Sequence, residues 1–127
     1  MIYHHYPEQH FNTIKIEKPW GYEIIWAHSK EAGYVSKILF IKKGHKTSKQ
    51  FHKIKEETIY IDSGSLTLMI LKNNIENYYH LIEGSSFHIE ANLIHRFYAE
   101  NEDVKIIETS TDHLDDVVRL EDEYGRC

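Results

Sequence analysis

The sequence predicts a single all-β domain, because short apolar strands recur along it, turn residues separate them regularly, and aromatic residues are abundant. The 127 residues include nine tyrosines, five phenylalanines and two tryptophans. Flat side chains of this kind fit a pleated surface well. Turns rich in Gly, Asn and Asp interrupt the chain about every 8–12 residues, which is typical of a β-sandwich or barrel. We therefore expect one compact domain over residues 1–127.

The beginning of the chain predicts an N-terminal arm followed by a strand. The arm covers residues 1–17 and contains a short strand at 13–16. A turn follows, because Pro19 fixes its own φ and Gly21 accepts a positive φ. The next predicted strand covers residues 22–27.

From residue 34 onward, apolar strands and polar turns alternate. The pair Asn73-Asn74 predicts a two-residue hairpin turn, since asparagine tolerates the positive φ that such turns require. The predicted strands are 34–42, 48–52, 57–61, 65–71, 78–82, 87–89, 96–99 and 104–109.

The end of the chain, residues 112–127, is expected to form a tail that contains a short helix. Leu114, Val117 and Val118 recur there at the spacing of one helical face. This is the only segment in which the apolar pattern favours a helix over a strand.

Charge and composition exclude several classes of protein. The formal net charge is −5, so the basic excess of a folded nucleic-acid-binding protein is missing. No apolar run approaches the roughly 18 residues that span a membrane. The first residues lack the pattern of a signal peptide, and the lone Cys127 cannot form an internal disulfide. We therefore expect a cytoplasmic protein that binds neither nucleic acid nor membrane.

Four residues have the chemistry and spacing of metal ligands. Gln50 and His52 are two apart in a predicted strand, so their side chains point to the same face. A turn after His52 would let Glu57 face the same space, and His95 begins a later strand. Two imidazoles, a carboxylate and an amide oxygen suit Zn, Fe, Mn, Co or Ni. On spacing alone, the pattern favours hydrogen-bonded core histidines over metal ligands, because a barrel histidine is more often a core residue than a ligand.

The spacing also resembles the two motifs of the cupin superfamily, with Gln50 in the place of the first histidine of motif one. The chain is most similar to the cupin domain of bifunctional mannose-6-phosphate isomerase/mannose-1-phosphate guanylyltransferase enzymes. The motif residues are Gly44, Gln50, His52, Glu57 and Gly64, followed by Gly84 and His95. The stretches that carry the closer resemblance are KPWGYE at 18–23, VSKI at 35–38, TSKQFH at 47–52, HRF at 95–97 and DVVRLEDEYGR at 116–126.

The resemblance implies a small cupin, a double-stranded β-helix or jelly-roll barrel, that forms a homodimer. It implies one divalent metal, zinc in the first place, with Fe, Mn, Co or Ni as alternatives. The implied ligands are Gln50, His52, Glu57 and His95. The chain departs from the family at residues 52–58, where HKIKEET replaces a His-rich stretch. The resemblance therefore supports the identity of the metal ligands better than the identity of the substrate.

The function implied is metal-dependent isomerisation of a mannose-6-phosphate-type sugar, in which an aldose and a ketose interconvert through a metal-stabilised enediolate. Glu57 and Lys37 are the candidate catalytic residues, and Lys37 has the strand parity to point into the barrel. Arg96, Lys37 and Ser48 are the candidate substrate-binding residues, although parity places Arg96 opposite His95. A cupin that only binds a sugar or sugar nucleotide, and an Fe(II)-dependent oxygenase, are the alternatives.

Overall fold

The computed structural model describes residues 1–126, and eleven β-strands run through them, which confirms the all-β prediction. None of these residues forms a helix, so none of their segments is a helix able to cross a membrane. The strands are β1 (Ile14–Lys18), β2 (Gly21–Ser29), β3 (Tyr34–Ile41), β4 (Lys49–Phe51), β5 (Glu57–Ser63), β6 (Leu66–Lys72), β7 (Ile75–Leu81), β8 (Ser86–Ile89), β9 (His95–Tyr98), β10 (Val104–Thr111) and β11 (Val118–Glu121).

The strands form two antiparallel sheets that enclose the core between them. The large sheet has the order β1-β2-β3-β10-β5-β8, and the small sheet has the order β11-β4-β9-β6-β7. Neighbouring strands are mostly far apart in sequence, as a jelly-roll topology requires. The apolar cluster draws on both sheets; its buried members are Trp20, Leu39, Ile41, Ile59, Ile61, Leu66, Leu68, Ile70, Ile89, Phe97, Ala99, Val104 and Ile106.

Strand β5 shows how the sequence separates the interior from the surface. Glu57, Ile59 and Ile61 are buried on one face, whereas Thr58 and Tyr60 are exposed on the other. This alternation is the two-residue period of a strand. Ile59 and Ile61 are fully buried, so they fix which face of β5 looks inward, and the same face carries Glu57.

The hairpin between β6 and β7 has the predicted turn. Asn73 and Asn74 have φ values of 54° and 61°, and positive φ at both central residues is the mark of a type I′ turn. The turn after β5 depends on Gly64, where φ is 79° and an added Cβ would overlap the carbonyl oxygen of Asp103.

The predicted C-terminal helix is wrong, because the tail adds a strand to the small sheet instead. Within the tail, β11 pairs with β4, with Val118 opposite Phe51 and Arg119 opposite Gln50. The edge of β4 offers unpaired backbone groups, and two adjacent β-branched valines favour an extended chain. Cys127, the last residue of the predicted tail, lies outside the described residues.

Candidate metal centre and its cavity

Three predicted ligands meet between the two sheets. Glu57 begins β5 of the large sheet, His95 begins β9 of the small sheet, and His52 directly follows β4. Their ligand atoms lie within 4.8 Å of one another. Oε1 of Glu57 is 3.3 Å from Nε2 of His52 and 3.4 Å from Nε2 of His95. All three residues are buried, with His95 fully enclosed.

Hydrogen bonds at the far side of each imidazole decide which nitrogen faces the centre. Nδ1 of His52 lies 2.6 Å from the carbonyl oxygen of Asp116, and Nδ1 of His95 lies 2.8 Å from that of Leu93. A carbonyl oxygen only accepts, so each Nδ1 carries the proton and donates it. In the neutral rings, both Nε2 atoms therefore point their lone pairs at Glu57.

This arrangement leaves several buried acceptors facing one another. Nε2 of His52, Nε2 of His95 and both carboxylate oxygens of Glu57 are buried and have no hydrogen-bond partner. Buried polar atoms without partners are costly, and facing lone pairs repel unless a cation lies between them. Two imidazoles and a carboxylate, each imidazole held from behind by a carbonyl, form a donor set that fits a divalent metal such as zinc.

Gln50 lies beside this cluster. It is opposite His95 in the β4–β9 pair and lines the same cavity as His52. Its Oε1 accepts a hydrogen bond of 2.8 Å from Oγ of Ser48, which leaves the second lone pair of the amide oxygen available. Gln50 as a fourth ligand stays a prediction. Ser48 is buried and acts on Gln50, and it is not among the described residues that line the cavity.

The cluster lies next to a cavity of about 650 Å³, counted with its open mouth. Five lysine and arginine side chains line the cavity, against three carboxylates. The lining residues are Lys18, Trp20, Glu23, Lys37, Leu39, Thr47, Gln50, His52, Lys55, Glu108, Leu114, Asp116, Val117, Arg119 and Arg126.

A chain of buried charges connects Glu57 to the cavity. Nζ of Lys55 is 3.5 Å from Oε2 of Glu57 and 3.3 Å from Oε2 of Glu108. Burial raises the pKa of Glu108 to about 8, and the negative charge of Glu57 adds to this effect. Burial also opposes the ionisation of Glu57, but the polar side chains around it and the charge of Lys55 outweigh burial and hold the pKa of Glu57 well below its usual range. At neutral pH, Glu57 is thus the ionised member of the pair.

Of the other predicted site residues, the structure brings Lys37 to the cavity but not Arg96. Lys37 is buried, lines the cavity, and pairs with Glu23 at 3.5 Å. Arg96 points to the outer face of the small sheet, where Nε donates to the carbonyl of Thr47 at 2.8 Å and Nη2 to that of Glu121. The strand alternation that places His95 inward places Arg96 outward.

Several cavity residues were not predicted from the sequence. Glu108 shares its strand parity with the buried Val104 and Ile106, so the alternation in β10 was a usable signal for an inward carboxylate. Lys55 lies in the loop before β5 and Arg119 lies in the tail, where strand parity gave no guidance. Nε of Arg119 is buried and has no hydrogen-bond partner among the described residues.

No protein-family model and no curated protein sequence matches the chain. Solved structures do match. The capsular polysaccharide assembling protein CapF from Staphylococcus aureus superposes with a TM-score of 0.76 at 15% identity, covering 90% of this chain and 34% of that one. A single-residue variant of oxalate decarboxylase from Bacillus subtilis gives a TM-score of 0.75 at 20% identity, covering 86% and 30%.

CapF bound to the inhibitor 3-isopropenyl-tropolone matches with a TM-score of 0.75 at 15% identity, covering 91% of this chain and 37% of that one. The chain thus spans about a third of the length of the structures it resembles. CapF and oxalate decarboxylase are cupin-fold proteins, and at this level of identity the likeness shows the fold. The predicted cupin barrel is confirmed.

Proposed function

We propose that this protein is a divalent-metal-dependent enzyme that isomerises a small phosphorylated sugar of the mannose-6-phosphate type. The observation that carries the proposal is the buried cluster of His52, Glu57 and His95, whose unpartnered ligand atoms adjoin a cavity rich in cationic groups. A metal held there would act as a Lewis acid on a carbonyl or hydroxyl oxygen of the substrate.

The charges of the cavity favour an anionic substrate. Five basic side chains and three acidic ones line it, although the whole chain has a net charge of −5. Lys37 and Lys55 are already paired with buried carboxylates, whereas Nε of Arg119 lacks a partner. The guanidinium fork matches phosphate oxygens, so Arg119 is the best-placed phosphate ligand in the cavity.

The cavity also contains side chains that are candidates for moving a proton. Isomerisation requires a group that removes a proton from one carbon and returns it to the next. Lys37 and Glu108 both line the cavity, and they are opposite each other in the pairing of β3 with β10. Trp20 and Leu39 add apolar surface to the lining of the cavity.

The similar structures support a carbohydrate substrate only in part. One is described as a capsular polysaccharide assembling protein, which favours sugar chemistry. The other is a decarboxylase of oxalate, a small dicarboxylate that a cation-lined cavity would also suit. A test of function therefore has to include both classes of anion.

The decisive experiment incubates the metal-loaded protein in D₂O with a panel of hexose, pentose and heptose phosphates and with oxalate. We expect NMR to show interconversion of an aldose phosphate and its ketose, with deuterium entering at the carbon next to the carbonyl. Arg119→Ala should raise KM for the phosphorylated sugar about 10-fold or more, since a hydrogen bond to a charged group contributes about 1.5–3 kcal/mol. Lys72→Ala, an exposed residue at the end of β6 and away from the cavity, is the control for loss of a positive charge and should leave KM within about two-fold.

Other results would contradict the proposal in identifiable ways. Thermal stabilisation by a sugar phosphate without turnover would point to a cupin that only binds its ligand. Oxygen consumption by the Fe(II)-loaded protein would point to an oxygenase. Decarboxylation of oxalate would replace the sugar by a small carboxylate as substrate.

A further inference from the structure

Asp116, in the tail between β10 and β11, is hydrogen-bonded to the candidate metal centre. Its carboxylate accepts three backbone N–H bonds from the loop that joins β4 to β5. The donors are Lys53 at 3.1 Å, Ile54 at 2.7 Å and Lys55 at 2.9 Å. These residues lie between His52 and Glu57, so the carboxylate shapes the turn that sets the two side chains facing each other.

The backbone of the same residue holds one of the imidazoles. The carbonyl oxygen of Asp116 accepts the proton of His52 Nδ1 at 2.6 Å. The corresponding acceptor of His95 is Leu93, only two residues away on its own loop. The orientation of His52 therefore depends on a segment 64 residues distant, whereas that of His95 is local.

We infer that Asp116 is a positioning residue that couples the C-terminal tail to the metal centre by fixing both the loop after His52 and the tautomer of His52 itself. The inference rests on the proposed metal function for its purpose, but its geometry holds in the metal-free protein. Partners that hold the far nitrogen of a metal-binding histidine fix its tautomer and raise its basicity. The tail that Asp116 anchors also brings Arg119 to the cavity. Asp116 thus sets the position of the metal-binding histidine His52 relative to the anion-binding candidate Arg119.

A purely structural role for Asp116 would have a different signature. If its carboxylate served only to stabilise the loop, its loss would lower the stability of the fold, while the backbone carbonyl of residue 116 would stay bonded to His52 and leave the ring unchanged. The test therefore needs a readout at the ring. A matched control is available in Asp115, an exposed neighbour whose substitution removes the same charge one residue earlier.

The experiment compares the wild type with Asp116→Ala, Asp116→Asn and Asp115→Ala by ¹⁵N NMR of the histidine rings in metal-free protein near pH 8. His52→Gln assigns the signal. We expect His52 to carry its proton on Nδ1 in the wild type and in Asp115→Ala. Asp116→Ala keeps the backbone carbonyl but loses the carboxylate that holds it against the loop, so we expect a mixture of tautomers in this variant. Asp116→Asn keeps one side-chain acceptor oxygen, so its share of the Nδ1 tautomer should lie between those of the wild type and Asp116→Ala. This variant also provides the test if Asp116→Ala folds poorly. A His52 ring that stays protonated at Nδ1 in both Asp116 variants would overturn the inference.

Metal affinity gives the second readout. In competition with a coloured chelator, Asp116→Ala should bind Zn²⁺ or Co²⁺ about 10–100-fold more weakly than the wild type, the usual effect of removing an outer partner of a ligand. Asp115→Ala should bind within about two-fold of the wild type. Equal affinities in Asp116→Ala and the wild type would refute the coupling. If the wild type itself binds no metal, the proposed function fails, while the ring spectra still decide the role of Asp116.

Discussion

The facing acceptors of His52, Glu57 and His95 lead to a quantitative prediction about metal and stability. A ligand that binds only the folded state, at about 100 times its dissociation constant, stabilises the fold by about 2.7 kcal/mol. Unfolding releases about 2.1 cal/mol/K of entropy per residue, or about 0.27 kcal/mol/K for a chain of 127 residues. Metal should therefore raise Tm by about 10 °C.

The assay is thermal unfolding of chelator-treated protein with and without added Zn²⁺ or Co²⁺. Each variant is compared with its own metal-free form, so any loss of intrinsic stability cancels. His95→Ala and Glu57→Gln should lose most of the shift, because each removes one of the three clustered ligands. His88→Ala is the matched control, since His88 is 57% exposed, pairs with Glu56, and lies outside the cluster.

Two outcomes would refute this reasoning. No shift in the wild type would mean that the three side chains do not hold a metal at the concentrations used. Equal shifts in the wild type, His95→Ala and Glu57→Gln would mean that the metal binds elsewhere, and the chain has ten histidines that offer other sites. If His88→Ala also lost the metal-induced rise in Tm, the stabilisation could not be assigned to the buried cluster.

Two further predictions concern the fold. Gly64→Ala should destabilise the protein in urea unfolding by at least about 2 kcal/mol more than Gly84→Ala. Both glycines have positive φ, but of the two only Gly64 has a backbone atom, the carbonyl oxygen of Asp103, where an added Cβ would lie. Equal losses of stability in the two variants would contradict this prediction. The bidentate bond from Arg126 holds the pKa of Asp122 below its usual 3.8, so the ionised form is favoured in the folded state. The ionised Asp122 carboxylate therefore contributes to the stability of the folded state above about pH 4, and this contribution is lost as the pH falls below that value. The difference in urea midpoint between Asp122→Asn and the wild type should be largest at neutral pH and should shrink on acidification. A difference that does not change with pH would contradict the prediction.

The meeting of His52 and Glu57 could be predicted from the sequence because both lie in one short stretch of chain. The period of two in a strand relates Gln50 to His52, and a turn of four residues returns the chain so that Glu57 faces His52. The resemblance to the cupin motifs supported the choice of His95, whose strand lies next to β4 in the small sheet. Parity also correctly placed Lys37 inside the barrel.

The rest of the cavity could not be predicted, since it depends on contacts between distant segments. The tail has apolar residues at helical spacing, yet it forms β11 because the edge of β4 is free to pair with it. That pairing, together with the bonds from the loop to Asp116, carries Arg119 into the cavity. No local pattern encodes a bond across more than 60 residues, so neither the shape of the tail nor its role as a cavity wall was accessible from periodicity.

The buried charges of this small barrel lie at one end of the inward face of the large sheet. Along β10 the inward residues change from Val104 and Ile106 to Glu108, and along β5 from Ile61 and Ile59 to Glu57. One end of the interior is therefore apolar and the other ionic. Burying charges costs more than packing hydrophobic side chains of similar volume, so an interior selected for stability alone would continue the apolar rows. The ionic end lies beside the open cavity and contains the three side chains whose facing atoms lack a hydrogen-bond partner. A barrel that bound a metal and an anion would retain buried charges at this end in spite of their cost.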